Sequence, residues 1–173
     1  MKKSHKNYCP VAGMLNIVGD RWIWLILREA FYGTTRFSEF ERNIGLAKNL
    51  LADRLAFLVD EGILEKRDVG DRGTRYAYQL TPKGTSLETT LIAMHQWGLE
   101  HLYEDGLVPI EILERETGKP IKTMRLESQS GRALNMSDLS IQAGPSASKA
   151  TRARFSEVPT NEPQFANSNS DKD

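Results

Sequence analysis

Cysteine is nearly missing from this 173-residue chain, in which Cys9 stands alone. One thiol supports neither an intrachain disulfide framework nor a cysteine-built metal site, and a reducing, cytoplasmic home fits that usage. Net charge is missing too, because 23 lysines plus arginines balance 23 aspartates plus glutamates. The whole molecule therefore carries no electrostatic advertisement for nucleic acid or membrane. Long apolar runs are also absent, and the longest, residues 22–27, falls far short of a bilayer. The basic start MKKSHK and the mildly apolar VAGMLNIVG are not expected to act as a secretory signal, since Asn16 interrupts them and no small-residue cleavage site follows. Histidine is scarce, and His5, His95 and His101 have no convincing partners at metal-ligand spacing. There is no P-loop, no GxGxxG fingerprint and no G-x-S-x-G elbow. A soluble protein without metal, cofactor or enzymatic activity is expected.

What is present is local. The length suits one well-buried domain with appendages. Basic residues outnumber acidic ones up to Arg75, and the excess of acid lies beyond it. A basic front half is compatible with a polyanionic partner.

Four helical patterns come first. Cys9-Pro10 opens one in which Val11, Leu15 and Val18 share a face, and Gly19 ends it. Asp20 can cap a second, whose apolar residues Trp22, Ile23, Leu25, Ile26, Leu27, Ala30 and Phe31 leave little polar surface, so it reads as the buried centre. Gly33 stops that helix. Thr34-Thr35 can cap a third, with Phe37, Phe40 and Ile44 as the inner stripe, and Gly45 turns into a fourth. In this last pattern Leu51, Leu55 and Leu58 recur at i, i+4, i+7, while Lys48, Asn49, Ala52, Asp53 and Ala56 lie opposite. Gly62 supplies its stop.

The period then changes. Residues 63–69 and 75–81 read as two strands around GDRGT, a hairpin with Arg72 at its tip and Arg67 and Arg75 at its base. A long helix follows Pro82 and Gly84, carrying Leu87, Leu91, Met94, Trp97 and Leu102. Residues 107–144 read as short strands and turns, with Thr117-Gly118-Lys119 and Ser130-Gly131-Arg132 as two successive hairpin turns. Residues 145–173 are rich in Ser, Ala, Thr, Asn and Pro, and read as a disordered tail.

Helices followed by a hairpin with a glycine-rich tip is the element order of a winged helix-turn-helix. The expected fold is mainly α with a small β hairpin (α+β), plus a β-rich extension and the tail. In such a fold the fourth helix enters the major groove. Asn49 then suits adenine, Lys48 guanine or backbone, Asp53 the cytosine amino group, and the Ala52 methyl thymine. Arg72 suits a narrow minor groove or its phosphates, with Arg75 beside it. Each has a plainer reading. Lys48 and Asn49 can simply serve the helix start, Asp53 can pair with a cation, and Arg54 lies nearer the leucine seam, where an intramolecular ion pair competes with a phosphate contact. For Arg72 and Arg75 the alternative is a solvated hairpin.

The landmarks Cys9-Pro10, Gly19-Asp20-Arg21-Trp22, Leu25-Ile26-Leu27, Gly33, Arg36-Phe37-Ser38-Glu39-Phe40, Leu51, Arg54-Leu55, Leu58, Gly62-Ile63, Arg67, Tyr78-Gln79-Leu80-Thr81-Pro82-Lys83-Gly84 and Trp97 stand in order along the chain. In this the chain resembles the HxlR family of bacterial transcription regulators over about residues 9–103. The resemblance implies a winged-helix domain that binds operator DNA with inverted half-sites. It implies a homodimer joined through the first helix and the helix around residues 84–103, and no enzymatic activity. Departures exist: Ala47 and Ala52 replace polar residues usual in the family, removing a capping hydroxyl and one DNA contact. The wing loop lacks the prolines of many relatives. The region after Leu107 resembles an extension of longer relatives, some with cysteine pairs where Thr117, Ser128 and Ser130 stand here, so a metal ribbon is excluded.

Cys9 occupies a position at which some relatives sense oxidants, and a helix N-terminus favours an anionic group. Its plain alternative is a small buried hydrophobe. Trp22, Trp24, Phe31, Tyr32 and Trp97 supply aromatic surface for a small-molecule effector, or simply for core and interface. A competing class is a winged helix used for protein contact, with Leu50 and Phe57 flanking the outward face.

Overall fold

The computed structural model describes residues 9–70, 75–104 and 106–156. The chain divides after Ile121 into two compact units. In the first, α1 (Pro10–Val18), α2 (Arg21–Phe31), α3 (Phe37–Ile44) and α4 (Lys48–Asp60) precede an antiparallel hairpin, β1 (Leu64–Asp68) and β2 (Tyr76–Leu80). A short helix α5 (Pro82–Thr85) and the longer α6 (Glu88–Leu102) follow. Among the described residues no helix is long and apolar enough to cross a membrane.

The core is built where the apolar periodicity places it. Ile23, Ile26 and Leu27 of α2, Phe40 of α3, and Leu51, Leu55 and Leu58 of α4 are buried with Ile63, Leu64 and Tyr78. The α1 pattern resolves differently from the expected Val11-Leu15-Val18 face. Val18 is buried and Met14 and Ile17 pack on the core, while Val11 and Leu15 point outward, 64% and 57% exposed.

The cap of α3 also differs from Thr34-Thr35. The N-cap is Arg36, whose backbone N–H donates to Glu39 Oε2 at 3.2 Å. Both threonines are engaged elsewhere: the Thr34 hydroxyl donates to Glu29, and the Thr35 carbonyl accepts from the Tyr78 N–H at 2.8 Å. Together with a bridge between Arg36 and Ala77, that bond adds a fragment of third strand to the hairpin.

Thr81-Pro82-Lys83-Gly84 ties the end of α4 to the chain leaving the wing. The Thr81 hydroxyl donates to the Gly62 carbonyl at 2.7 Å, and Lys83 Nζ donates to the Glu61 carbonyl at 2.6 Å. Gly84 sits so close that an added Cβ would lie 2.2 Å from the Ile63 carbonyl oxygen. Only glycine fits there. Gly45 and Gly62, with φ of 70° and 66°, bound α4 in the left-handed conformation that side chains disfavour.

Past α6, an antiparallel bridge joins Leu113 to Pro120 around Gly118, the first of the two expected turns. The second turn lies in the other unit, where β3 (Leu126–Glu127) pairs with β4 (Ala133–Leu134) around Gly131. Within the stretch expected as a disordered tail, residues 149–156 instead form helix α7 (Lys149–Ser156). Its composition was misleading because the ties are local and polar. The Ser148 hydroxyl accepts from the Thr151 N–H at 3.1 Å, and Arg152 donates to the carbonyls of Ala147 and Pro145. Residues 157–173 of that stretch lie outside the described residues.

One buried charge was not anticipated. Glu29 of α2 is 6% exposed, and accepts from Arg28 at 2.9 Å, Asn43 at 2.8 Å and Thr34 at 3.2 Å. Burial pushes its carboxyl up, but the Asn43, Arg28 and Thr34 donors outweigh it and hold the group below its ordinary 4.5. A depressed folded-state pKa means that this carboxylate contributes stability above the unfolded value, lost as pH falls through the folded one. Wild-type stability is therefore expected to drop as pH falls below about 4.5. Glu29→Gln should be less stable at neutral pH and show a shallower acid decline, read by denaturant melts at stepped pH. An unchanged slope would exclude Glu29 as a contributor.

Candidate nucleic-acid interface

Helix α4 has two faces of opposite character. Leu51, Leu55 and Leu58 are fully buried, whereas Lys48, Asn49, Ala52, Asp53 and Ala56 are all exposed. Helical periodicity requires that separation. Lys48 Nζ stands 3.9 Å from Glu41 of α3, a loose surface pair. Asn49 and Asp53 have no side-chain hydrogen bond to another described residue, so their polar atoms face solvent. Ala47, the N-cap, offers no side-chain acceptor to the helix start.

Arg54 does not share this face. Its Nε donates to Asp20 Oδ2 at 2.6 Å, with both side chains about one-third exposed. Asp20 also caps α2, accepting from the Trp22 N–H through Oδ1 at 2.9 Å. One carboxylate thus begins α2 and anchors the middle of α4.

The hairpin supplies a second exposed surface. Arg75 and Arg67 are exposed, Arg67 pairs with Glu65 at 2.5 Å, and Lys66 Nζ lies 3.7 Å from the Tyr76 ring centroid. Asp68 closes the base of the loop, accepting from the N–H groups of Gly70 at 3.0 Å and Arg75 at 3.3 Å. An Asp two residues before a glycine is a local pattern that favours such a turn, and the hairpin expected from sequence rested on the glycines instead. Arg72 lies outside the described residues.

A known family model now bears on this geometry. The HxlR-like helix-turn-helix matches residues 17–106, more than half of the chain. This chain belongs to the HxlR-like family. It is similar to Rv3095 of Mycobacterium tuberculosis, an uncharacterized HTH-type transcriptional regulator, with 31% identity over 78% of this chain and 85% of the relative. YybR of Bacillus subtilis, likewise an uncharacterized HTH-type transcriptional regulator, is 29% identical over 60% of this chain and 89% of its own length. Among solved structures, PA1607, proposed to be a transcription factor, superposes with a TM-score of 0.74 at 36% identity. That alignment covers 79% of this chain and 96% of PA1607. PA1374 of Pseudomonas aeruginosa, also proposed to be a transcription factor, gives 0.59 at 37% identity over 84% of this chain and 99% of its own.

The same compact unit carries a second feature, an open, mainly apolar groove of about 720 Å³ lined by residues of α2 and α6 and by residues 110–113. Of the aromatic residues proposed for an effector, Trp24, Phe31 and Tyr32 line it. Trp22 instead lies under the Arg21 guanidinium, 4.7 Å from its ring centroid, and Trp97 is 58% exposed beside His101. Cys9, the N-cap of α1, is exposed in the single chain.

The two bonds of Asp20 can be separated by mutation. Asp20→Asn keeps a cap for α2 and weakens the tie to Arg54, whereas Asp20→Ala loses both. Asp20→Ala is expected to cost about 1 kcal/mol more than Asp20→Asn, the usual scale of a lost N-cap, measured by urea unfolding. Equal losses would mean that the cap contributes nothing.

Proposed function

We propose that this chain binds operator DNA as a homodimer, with α4 entering the major groove and the wing reaching the flanking backbone or minor groove. The observation that carries this is the exposed α4 face of Lys48, Asn49, Ala52 and Asp53 above a fully buried leucine seam. Asn49 pairs with adenine, the Ala52 methyl contacts thymine, Lys48 reaches guanine or phosphate, and Asp53 accepts only from the cytosine amino group. Arg72 and Arg75 serve phosphates from the wing, while Arg54 acts mainly by positioning α4 through Asp20. Residues 9–103 form the DNA-binding and dimerising domain, with residues 107–144 as its extension, and the protein works in the cytoplasm.

Unpartnered apolar surface supports the dimer. No residue of α6 is buried in the single chain, and Met94, Trp97 and Leu102 are exposed, as are Val11 and Leu15 of α1. Large apolar side chains left exposed on both helices are the material of an interaction surface.

Selection from random duplex DNA tests the reading. The expected product is an inverted repeat. Asn49→Ala should lose about 1–3 kcal/mol and relax specificity at its base, whereas Arg72→Ala should weaken all sequences alike and lower the salt slope by about one. No enriched sequence at low salt, from a confirmed dimer, would overturn it in favour of a winged helix used for protein contact through Leu50 and Phe57.

Cys9 favours a redox response as a second reading, because its thiol is exposed at a helix N-terminus. HypR, described as a redox regulator, is a structural neighbour at TM-score 0.51 and 26% identity, covering 54% of this chain and 94% of HypR. With a single cysteine, oxidation joins Cys9 to a small thiol or to Cys9 of a second copy. Oxidant should change operator affinity in the wild type and not in Cys9→Ser. An equal response from both excludes the thiol.

A further inference from the structure

The chain is neutral as a whole but not along its length. Residues 17–106, the stretch that matches the family, hold eleven lysines and arginines against fourteen aspartates and glutamates, a net charge of −3. Several of those cations are also engaged within the domain, Arg28 by Glu29, Arg54 by Asp20, Arg67 by Glu65 and Lys48 loosely by Glu41. On the outward face of α4 the charge of Lys48 is offset by that of Asp53. Affinity for duplex DNA comes largely from cations that neutralise phosphates and release counterions. A winged domain of net negative charge brings few of them.

The second compact unit has the opposite balance. Residues 122–156 carry six cations, Lys122, Arg125, Arg132, Lys149, Arg152 and Arg154, against two acids, Glu127 and Asp138, a net charge of +4. All six cations are exposed, and among the described residues of this unit none is buried, so the charge serves no core. Arg132 is matched by Asp138 at 3.3 Å. Arg152 donates to two neutral carbonyls, of Ala147 and Pro145, and Arg154 lies 5.5 Å from the Phe155 ring centroid, so both keep their charge.

The chemistry of the unit selects its partner. An anionic membrane is held by a basic helix with a bulky apolar face. Helix α7 has one bulky apolar side chain, Phe155, and it is half-buried. Cations spread over a hairpin and a helix, rather than gathered in a pocket, suit a repeating polyanion better than a single anion. We propose that residues 122–156 form a second DNA-contacting surface, in which Arg125, Lys149, Arg152 and Arg154 neutralise backbone phosphates of the duplex whose bases α4 reads. The surface supplies the charge that the winged domain lacks, and it rests on the DNA-binding reading above. Phosphate contacts of this kind add affinity without sequence preference.

Salt dependence of duplex binding by the full chain reads these contacts, because log affinity falls against log salt by about 0.9 for each phosphate neutralised. Arg125→Gln, Lys149→Gln and Arg154→Gln together remove three charges and spare Arg152, whose bonds tie α7 to the chain before it. The slope should become shallower by about 2.7 per bound chain, and affinity at low salt should fall by about tenfold or more, for operator and scrambled duplex alike. Selection from random duplex should still return the wild-type inverted repeat, in contrast to Asn49→Ala. Returning the charge as Arg125→Lys and Arg154→Lys, with Lys149 in place, should recover the slope.

An unchanged slope with the operator still bound overturns this surface and leaves the DNA-binding reading standing. A slope lost equally in the lysine variant marks an effect of packing rather than charge, and overturns it too. If the wild type binds vesicles of phosphatidylserine and phosphatidylcholine, and the glutamine variant loses them while its duplex affinity is unmoved, the partner is a membrane and the proposal fails. No duplex bound by the wild type at any salt overturns the DNA-binding reading and this surface with it.

Discussion

The fully buried leucine seam of α4 is the constraint on which the rest depends. Burying Leu51, Leu55 and Leu58 removes three large side chains from water, each worth about 1.5–3 kcal/mol. Their sum is comparable with the whole net stability of a typical domain, about 5–15 kcal/mol. The helix can rotate only at the cost of exposing them. That fixes which residues face outward, whatever those residues are, so the outward face is free to carry recognition chemistry. Lys48, Asn49, Ala52 and Asp53 contribute little to holding α4 in place, and changes there alter what the face meets more than whether the helix forms.

Apolar burial sets rotation; polar ties set position along the axis. The end of α4 is closed by Gly62 and clasped by Thr81 and Lys83, and its middle is joined to α2 by Arg54 and Asp20. These ties differ in weight. The Arg54–Asp20 pair is partly solvated, so its charge attraction is moderated by water, and its value is geometric, since it fixes α2 and α4 to one carboxylate. Glu29 is different: it is nearly out of water, and only three donors make its burial tolerable. Removing one partner of such a network leaves a buried charge short of hydrogen bonds, which costs more than the bond itself contributed.

The sequence made the helices, the hairpin and the turns legible because each has a short-range physical signal. Leucine spacing marked α4, glycines marked its ends, and strand alternation around GDRGT marked the wing. What escaped depended on partners distant in the chain. Thr34 and Thr35 have the chemistry of a cap, yet Glu29 and Tyr78 claim them first. Glu29 looked like one more charge on an apolar helix, because nothing local announces that Asn43 will reach it from fourteen residues away. Val11 and Leu15 share a helical face with Val18, but periodicity cannot say whether a face meets the core of its own chain. At the candidate interface the exposed set on α4 was legible residue by residue. Arg54 admits two readings from sequence alone, because its partner Asp20 is separated from it by thirty-four positions.

The start of α4 follows from the same logic. A serine or threonine at position 47 would bond the first N–H groups of the helix and satisfy them internally. Ala47 cannot, and no side chain replaces it. Those N–H groups are left to solvent, or to an acceptor brought from outside, and the positive end of the helix dipole favours an anionic one. In a helix that approaches DNA by its N-terminal half, the loss of a capping hydroxyl weakens the free protein slightly and leaves backbone donors for a phosphate. The small side chains at 47 and 52 also let that end approach closely. Under the proposed DNA-binding reading, specificity then rests on few contacts rather than many: Asn49 for hydrogen bonding, Ala52 for shape, and the backbone for position.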